Sequence, residues 1–134
     1  MEKDIEGEVA IGVVRENGKF LLMRRSESNS SSGKWTFLGG RIEEEETVSD
    51  AVVREIREET GLDTELVRIG DSFLNEGELG LWKVYPVLLE TSKDDETTIE
   101  MNHEHDKYEW IEIEQLDDFD TLGEMKAPEK LDLA

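Results

Sequence analysis

The stretch Gly40–Leu62, GRIEEEETVSDAVVREIREETGL, decides how this chain is read. Gly40, Glu46, Arg54, Glu55, Ile56, Glu58, Glu59, Gly61 and Leu62 stand in it at the spacing G-x5-E-x7-R-E-U-x-E-E-x-G-U, with U an aliphatic residue. Thr47 and Asp50 make the T-x-x-D pattern of a capping box before an apolar-periodic run. Gly61 is suited to the left-handed conformation that ends a helix. A helix is therefore predicted over Val48–Thr60. At about 100° per residue, Val48, Val52, Glu55 and Glu59 form one row, flanked by Ala51 and Ile56. The row begins apolar and ends acidic, so the acids continue the buried stripe where a solvated face would oppose it.

That placement is costly. Glu55, Glu58 and Glu59 are at i, i+3, i+4 spacing and repel by a few tenths of a kcal/mol per pair, ~0.2–0.5. They also sit in the last turns, where the helix dipole disfavours anions by ~0.3–1 kcal/mol each. Arg54 can reach Asp50 or Glu58 at i±4, and Arg57 adds positive charge. A divalent cation, Mg²⁺ or Mn²⁺, would relieve the rest, since hard cations take carboxylate oxygens. An ordinary charged surface helix accounts for Glu58-Glu59 alone. It does not account for the row, both glycines and the spacing together.

The nine specified positions match the Nudix box, and the chain resembles a Nudix hydrolase of the MutT-like kind. The resemblance extends from Glu8 to Leu116: VAIGVV before the Asn-Gly turn, FLLMRR after it, KWTFLGG leading into the box, and EWIEIEQL near the end. Two positions depart from the family's usual pattern. Leu38 stands where many members have Pro, and Glu45 where Gly is frequent, so local backbone differences are expected there.

The resemblance implies an α+β fold, an α/β/α sandwich with a mixed sheet between helices and the box as loop-helix-loop. It implies Glu55, Glu58 and Glu59 as metal ligands, with the Gly39 carbonyl as a further one. Glu46 resembles the box acid that supports loop and metal shell, and Arg54 the residue that orients the box carboxylates. Glu104, six residues before Trp110, resembles a second acid that binds metal or serves as general base. Glu58 or Glu59 are equally candidates for the base. Arg25 matches a phosphate-contacting Arg, and Gly40 is placed with it as substrate-binding.

Composition bounds the function. A chain of 134 residues is read as one domain, 1–134. Net charge is -20, with 35 acidic against 15 basic residues. That balance disfavours duplex nucleic acid and RNA ends, whose affinity comes mainly from Lys and Arg on phosphates. It fits either a high-salt adaptation, as in halophiles, or a merely acidic protein. No apolar run approaches the ~18 residues needed to span a membrane. The N-terminus, MEKDIEGE, lacks the features of a signal peptide. Zero cysteines exclude disulfides and thiolate metal sites. A cytoplasmic enzyme, monomer or homodimer, with a small nucleotide as partner is expected.

Along the chain, Glu8–Val14 and Lys19–Met23 read as strands around Asn17-Gly18, a strong hairpin signal. Ser26–Gly33 is a Ser-rich loop. Its Gly33-Lys34 lacks the glycine and hydroxyl residue of a phosphate-binding P-loop. Trp35–Leu38 is a short strand. Glu65–Leu74 and Leu81–Leu89 are strands joined around Gly77 and Gly80, and Thr91–Thr98 an acidic loop. Ile99–Met101 and Tyr108–Ile113 read as strands, Glu114–Asp118 as a short helix, and Leu122–Leu131 as a terminal helix interrupted near Pro128. His103 and His105 flank Glu104 as H-x-H; two side chains on one strand face could pair on a metal, but an exposed loop is the expected setting. Trp35, Phe37, Trp82 and Tyr85 are available for base stacking, with core packing the default.

The box defines chemistry and not the leaving group. A Pro about sixteen residues past the box, frequent in ADP-ribose pyrophosphatases, is absent. So is a Tyr at about that distance, frequent in dinucleoside polyphosphate hydrolases. The expected function is Mg²⁺-dependent hydrolysis of a phosphoric anhydride. The leading substrate is a nucleoside triphosphate, cleaved to nucleoside monophosphate and pyrophosphate. ADP-ribose or another nucleoside diphosphate derivative is the second reading, and a non-catalytic Nudix-fold nucleotide sensor the alternative of another class.

Overall fold

A computed structural model describes residues 4–26, 33–77, 80–91, 99–101, 104–121 and 127–133. Its elements are β1 (Ile5–Glu16), β2 (Lys19–Arg25), β3 (Trp35–Thr36), β4 (Leu38–Arg41), α1 (Val48–Thr60), β5 (Thr64–Ile69), β6 (Phe73–Gly77), β7 (Gly80–Thr91), β8 (His105–Ile111), a 3-10 helix at Ile113–Asp118 and α2 (Ala127–Lys130). The eight strands form one sheet of order β3-β2-β1-β7-β5, with β4 on β1, β6 on β7 and β8 on β2. The β1–β7 pair is parallel and the other ladders are antiparallel, so the sheet is mixed as expected.

Strand alternation sorts the core into two layers. Ala10 and Val14 of β1 join Val87 and Leu89 of β7 beneath Val52 and Ile56 of α1. Ile11 and Val13 point the other way, with Val84, Leu88, Ala127 and Leu131. Helices thus cover both faces, giving the predicted α/β/α sandwich. The hairpin at Asn17-Gly18 forms as read, with both residues at positive φ and Glu16 opposite Lys19.

Four strand expectations needed correction. Trp35–Leu38 is two strands, because the chain crosses at Phe37 from pairing with β2 to pairing with β1. Glu65–Leu74 is also two strands. A side chain at Gly70 would sit 2.4 Å from the Lys130 carbonyl oxygen, so the break lies where the chain passes close to the end of α2. Ile99–Met101 forms no ladder; instead the Glu100 N–H donates to the Thr60 carbonyl at the end of α1 (2.8 Å). The closing strand runs from His105 to Ile111, earlier than Tyr108–Ile113, because it pairs along the whole of β2.

The expected Glu114–Asp118 helix is the 3-10 turn. Pro128 lies within α2 and does not interrupt it, since a first-turn proline forfeits no intrahelical bond. Residues 92–98, 103 and 122–126, and with them parts of the two loops and the terminal helix expected there, lie outside the described residues.

Candidate active site

β1 is held by β2 at Arg15 and Glu16, but at Val9–Gly12 it takes β4 as its partner. Where β1 leaves β2 the sheet opens, and a cleft of about 330 Å³ lies there. Its walls come from β1 (Val9, Ile11), the end of β2 (Arg25), the crossover (Thr36, Phe37), β4 (Gly39, Gly40), α1 (Glu55, Glu59) and the start of β8 (Glu104, His105).

Helix α1 is fixed at both ends by its own sequence. The Thr47 hydroxyl accepts the Asp50 N–H at 3.1 Å. Gly61, at φ 77°, donates its N–H to the Arg57 carbonyl at 2.8 Å. The helix runs over the predicted residues, and the row holds: Val52 and Glu59 are buried. Glu59 is only 5% exposed, and its Oε2 has no hydrogen-bond partner among the described residues. Burial, then the charges of Glu55 and Glu104, push its carboxyl up to about 8, against the pull of Arg25. Burial also raises Glu55, and Arg54 opposes it. A buried carboxyl without a partner is a costly feature that a bound cation would relieve.

Gly40 answers to Glu55. A Cβ at Gly40 would lie 2.3 Å from the Glu55 carboxyl carbon, so glycine makes room for that carboxylate against β4. The loop after β4 carries the partner that orients it. Arg54 Nε donates to Glu46 Oε2 at 2.8 Å and Nη2 to Glu46 Oε1 at 3.0 Å. Nη1 donates to Glu55 Oε1 at 3.0 Å. Glu46 also accepts the Glu43 N–H at 2.9 Å. These bonds hold the Glu46 carboxyl down at about 2, Arg54 first, and hold the Arg54 guanidinium firmly charged. Arg54 was expected to reach Asp50 or Glu58. Its contact to Glu58 is long, at 3.4 Å, and its close partners are Glu46 and Glu55. A planar fork finds its match in a carboxylate approached along both N–H bonds, which the loop supplies.

Glu58 does not line the cleft. Its side chain is 58% exposed and lies toward Arg54. The cleft gathers Gly39, Gly40, Glu55, Glu59, Glu104 and Arg25. Among the described residues, no three acid or histidine side chains converge closely enough to enclose a cation unaided. The donors present are nonetheless the hard oxygens that a divalent cation takes.

Glu45 takes φ 69°, the left-handed region, which accounts for the glycine frequent there. Leu38 is buried in β4. Arg24 is held by Asp106 through two bonds, 2.8 and 2.9 Å, leaving Arg25 as the arginine of the pair that lines the cleft. Trp35 packs edge-on against Phe119 at 5.1 Å, and Arg41 lies over Trp82 at 5.1 Å. Tyr85 donates to Glu8 at 3.1 Å. Phe37 alone of the four aromatics named for stacking lines the cleft.

His105 is the residue that sequence reasoning misplaced. An exposed loop was expected, yet His105 is 5% exposed and lines the cleft. The ladder shifts between Arg24 and Arg25, leaving Asp106 as an extra residue on β8. A bulge re-aims the side chains on either side of it, which simple alternation does not foresee. Burial and the charge of Arg25 lower the imidazole's pKa. The H-x-H pattern around Glu104 was the signal available in the sequence.

An α/β/α sandwich whose acid-ended helix opens on a cleft at a split in the sheet is the class that fold and site define. Residues 7–130 match the family model of the NUDIX domain, and the chain belongs to that family. It is 39% identical over 56 residues to a CTP pyrophosphohydrolase of Escherichia coli, covering 42% of each chain. It is 47% identical over 51 residues to an ADP-ribose pyrophosphatase of Methanocaldococcus jannaschii, covering 38% of this chain and 30% of the relative. The matches thus span less than half the length of these curated relatives. The fold is shared with the crystal structure of a MutT protein from Methanosarcina mazei, with a TM-score of 0.77 at 24% identity over 97% of this chain and 96% of the other.

Proposed function

We propose that this chain, as one domain over its whole length, hydrolyses a phosphoric anhydride bond of a nucleotide with Mg²⁺ or Mn²⁺ as cofactor. The observation that carries the reading is Glu59: a buried carboxyl with an orphaned oxygen, beside Glu55 and Glu104, in a cleft that also holds Arg25. Packing alone would not retain such a group, because an apolar side chain fills the same space at less cost.

Glu55 and Glu59, with Glu58 from the helix edge and the Gly39 carbonyl, are the proposed metal ligands. When bound, the divalent ion supplies charge for the phosphate oxygens and lowers the pKa of water. Arg54 fixes Glu55 by one N–H and anchors itself on Glu46 by two, so the ligand carboxylate is held before substrate arrives. Gly40 keeps the space that this carboxylate needs. Arg25 binds a phosphate on the opposite wall. Glu104 or one of the helix acids, Glu58 or Glu59, takes the proton from the attacking water.

The leading substrate is a nucleoside triphosphate, cleaved to nucleoside monophosphate and pyrophosphate. The kinship to the CTP pyrophosphohydrolase supports that choice. The kinship to the ADP-ribose pyrophosphatase keeps ADP-ribose and related nucleoside diphosphate derivatives as the second reading. A non-catalytic nucleotide sensor is the alternative of another class, and the presence of all the box acids, Glu55, Glu58 and Glu59, weighs against it.

The test is a panel of nucleoside triphosphates, ADP-ribose and dinucleoside polyphosphates, assayed with Mg²⁺ and Mn²⁺ at low and molar KCl. Metal-dependent release of monophosphate and pyrophosphate from a triphosphate is expected. Turnover at molar KCl equal to or above that at low salt would mark the -20 charge as a high-salt adaptation. Binding without turnover of any member would leave the sensor reading in place of the enzyme.

A further inference from the structure

The cleft has a second orphan. His105 is 5% exposed and lines the cavity, and its buried Nδ1 has no hydrogen-bond partner among the described residues. Nearly all buried polar atoms of folded proteins find a partner, so each one left without calls for a ligand or a function. Its neighbour Asp106 does not serve, because that carboxylate is taken by the fork of Arg24 at 2.8 and 2.9 Å. Packing does not explain the residue either. A leucine would fill a buried position without an unmet hydrogen bond.

The position of His105 is built. It stands opposite Arg25 in the β2–β8 ladder, and the bulge at Asp106 sets its register. Arg25 acts electrostatically on Glu59 across the cleft and on His105 beside it. The acids of α1 thus form one wall, and Arg25 with His105 belongs to the other. A polyphosphate chain lying between them would meet N–H donors from Arg25 and His105, with the Glu104 carboxylate beside His105.

We propose that His105 is a substrate-binding residue whose Nδ1–H donates to a phosphate oxygen of the nucleotide, beside Arg25. The assignment rests on the reading of the cleft as a nucleotide phosphate site, and it deepens that reading by naming a group on the β8 wall.

Inorganic tripolyphosphate, which has no base or sugar, is the probe. Its affinity is measured by calorimetry with Mg²⁺ present, for wild type, His105→Leu and His105→Asn, alongside KM and kcat for the best nucleotide of the panel. The amide nitrogen of asparagine falls near the Nδ1 position. The expected result is an affinity loss of about 10-fold or more in His105→Leu, a matching rise in KM, and recovery to within about threefold in His105→Asn. A melting temperature in His105→Leu equal to or above wild type is also expected.

Unchanged tripolyphosphate affinity in His105→Leu overturns the proposal, whatever happens to KM, because the group would then read the base or sugar or nothing. Equal impairment of the Leu and Asn variants overturns it as well. Should His105→Leu not fold, His105→Gln replaces it. Its amide lies where Nε2 stood, so loss with Gln and retention with Asn is the supporting result, and equal affinity the opposing one. Tripolyphosphate binding by wild type that weakens in His105→Leu and recovers in His105→Asn, with no nucleotide hydrolysed, supports the His105 assignment and removes only the enzymatic reading.

Discussion

Arg54 and Glu46, eight residues apart, are joined by two parallel bonds, Nε to Oε2 at 2.8 Å and Nη2 to Oε1 at 3.0 Å. The loop before α1 is thereby tied to the middle of α1, and the remaining guanidinium nitrogen is aimed at Glu55 at 3.0 Å. A lysine keeps the charge and cannot make the fork. Arg54→Lys is therefore expected to lower kcat about 10–100-fold, with the protein still folded. Steady-state kinetics with a thermal melt checks this, and Glu46→Gln should give a similar, non-additive loss in the double variant. The same pair sets an acid limit. Glu46 has its carboxyl lowered from 4.5 to about 2, so its stabilisation is present above pH 4.5 and fades as pH falls toward 2. In Glu46→Gln that part of the acid unfolding curve should flatten.

Glu59 has the opposite sign. Its carboxyl is raised from 4.5 to about 8, so the folded state prefers it protonated. Stability from this group is full below pH 4.5 and is lost as pH rises to 8, by at most on the order of 5 kcal/mol at ~1.4 kcal/mol per unit. Metal-free melts of wild type and Glu59→Gln should therefore diverge across that window, with the variant the more stable at pH 8. Added Mg²⁺ should raise the wild-type melting temperature and leave Glu59→Gln nearly unmoved. The variant's kcat should fall by orders of magnitude, as should that of Glu58→Gln; wild-type turnover in either would falsify its assignment as a ligand.

Gly40→Ala tests the room left for Glu55. The added methyl would lie 2.3 Å from the Glu55 carboxyl carbon, at the end of a side chain that can swing away. Stability should change by less than about 1 kcal/mol, because no backbone has to move. Activity should drop at least ~10-fold, since a misplaced ligand carboxylate loses preorganisation. A crystal structure of the variant should show Glu55 displaced, and full activity would mean that its position does not matter.

Glu45→Gly tests strain in the acidic loop. A non-glycine residue at φ 69° costs ~1–2 kcal/mol, and glycine gives back part of that through the greater entropy of its unfolded chain. A net gain of about 0.5 kcal/mol is expected in urea unfolding, with kcat unchanged. A loss of stability would show that Glu45 makes contacts that outweigh its conformation.

What the sequence by itself determined is local. The caps at Thr47 and Gly61, the apolar-to-acid row and the Asn17-Gly18 hairpin all depend on residues within a few positions of one another, and each stands where the spacing put it. The mixed sheet between helices was also legible, through resemblance at the box and its flanks.

Only the tertiary structure decided which acids share a cavity. Glu59 meets Glu104 there, 45 residues later, while adjacent Glu58 does not line it, because burial depends on where the sheet splits. The breaks at Phe37 and Gly70 have the same origin: one strand changes partner, and the other passes close under the Lys130 carbonyl. Arg54 keeps its helical contacts to Glu55 and Glu58 and takes Glu46 as well, because the loop folds a carboxylate onto its fork. His105 entered the cleft through a bulge. Pattern along a chain reports periodicity, and a bulge or a change of partner resets that periodicity by contacts between residues far apart in the sequence.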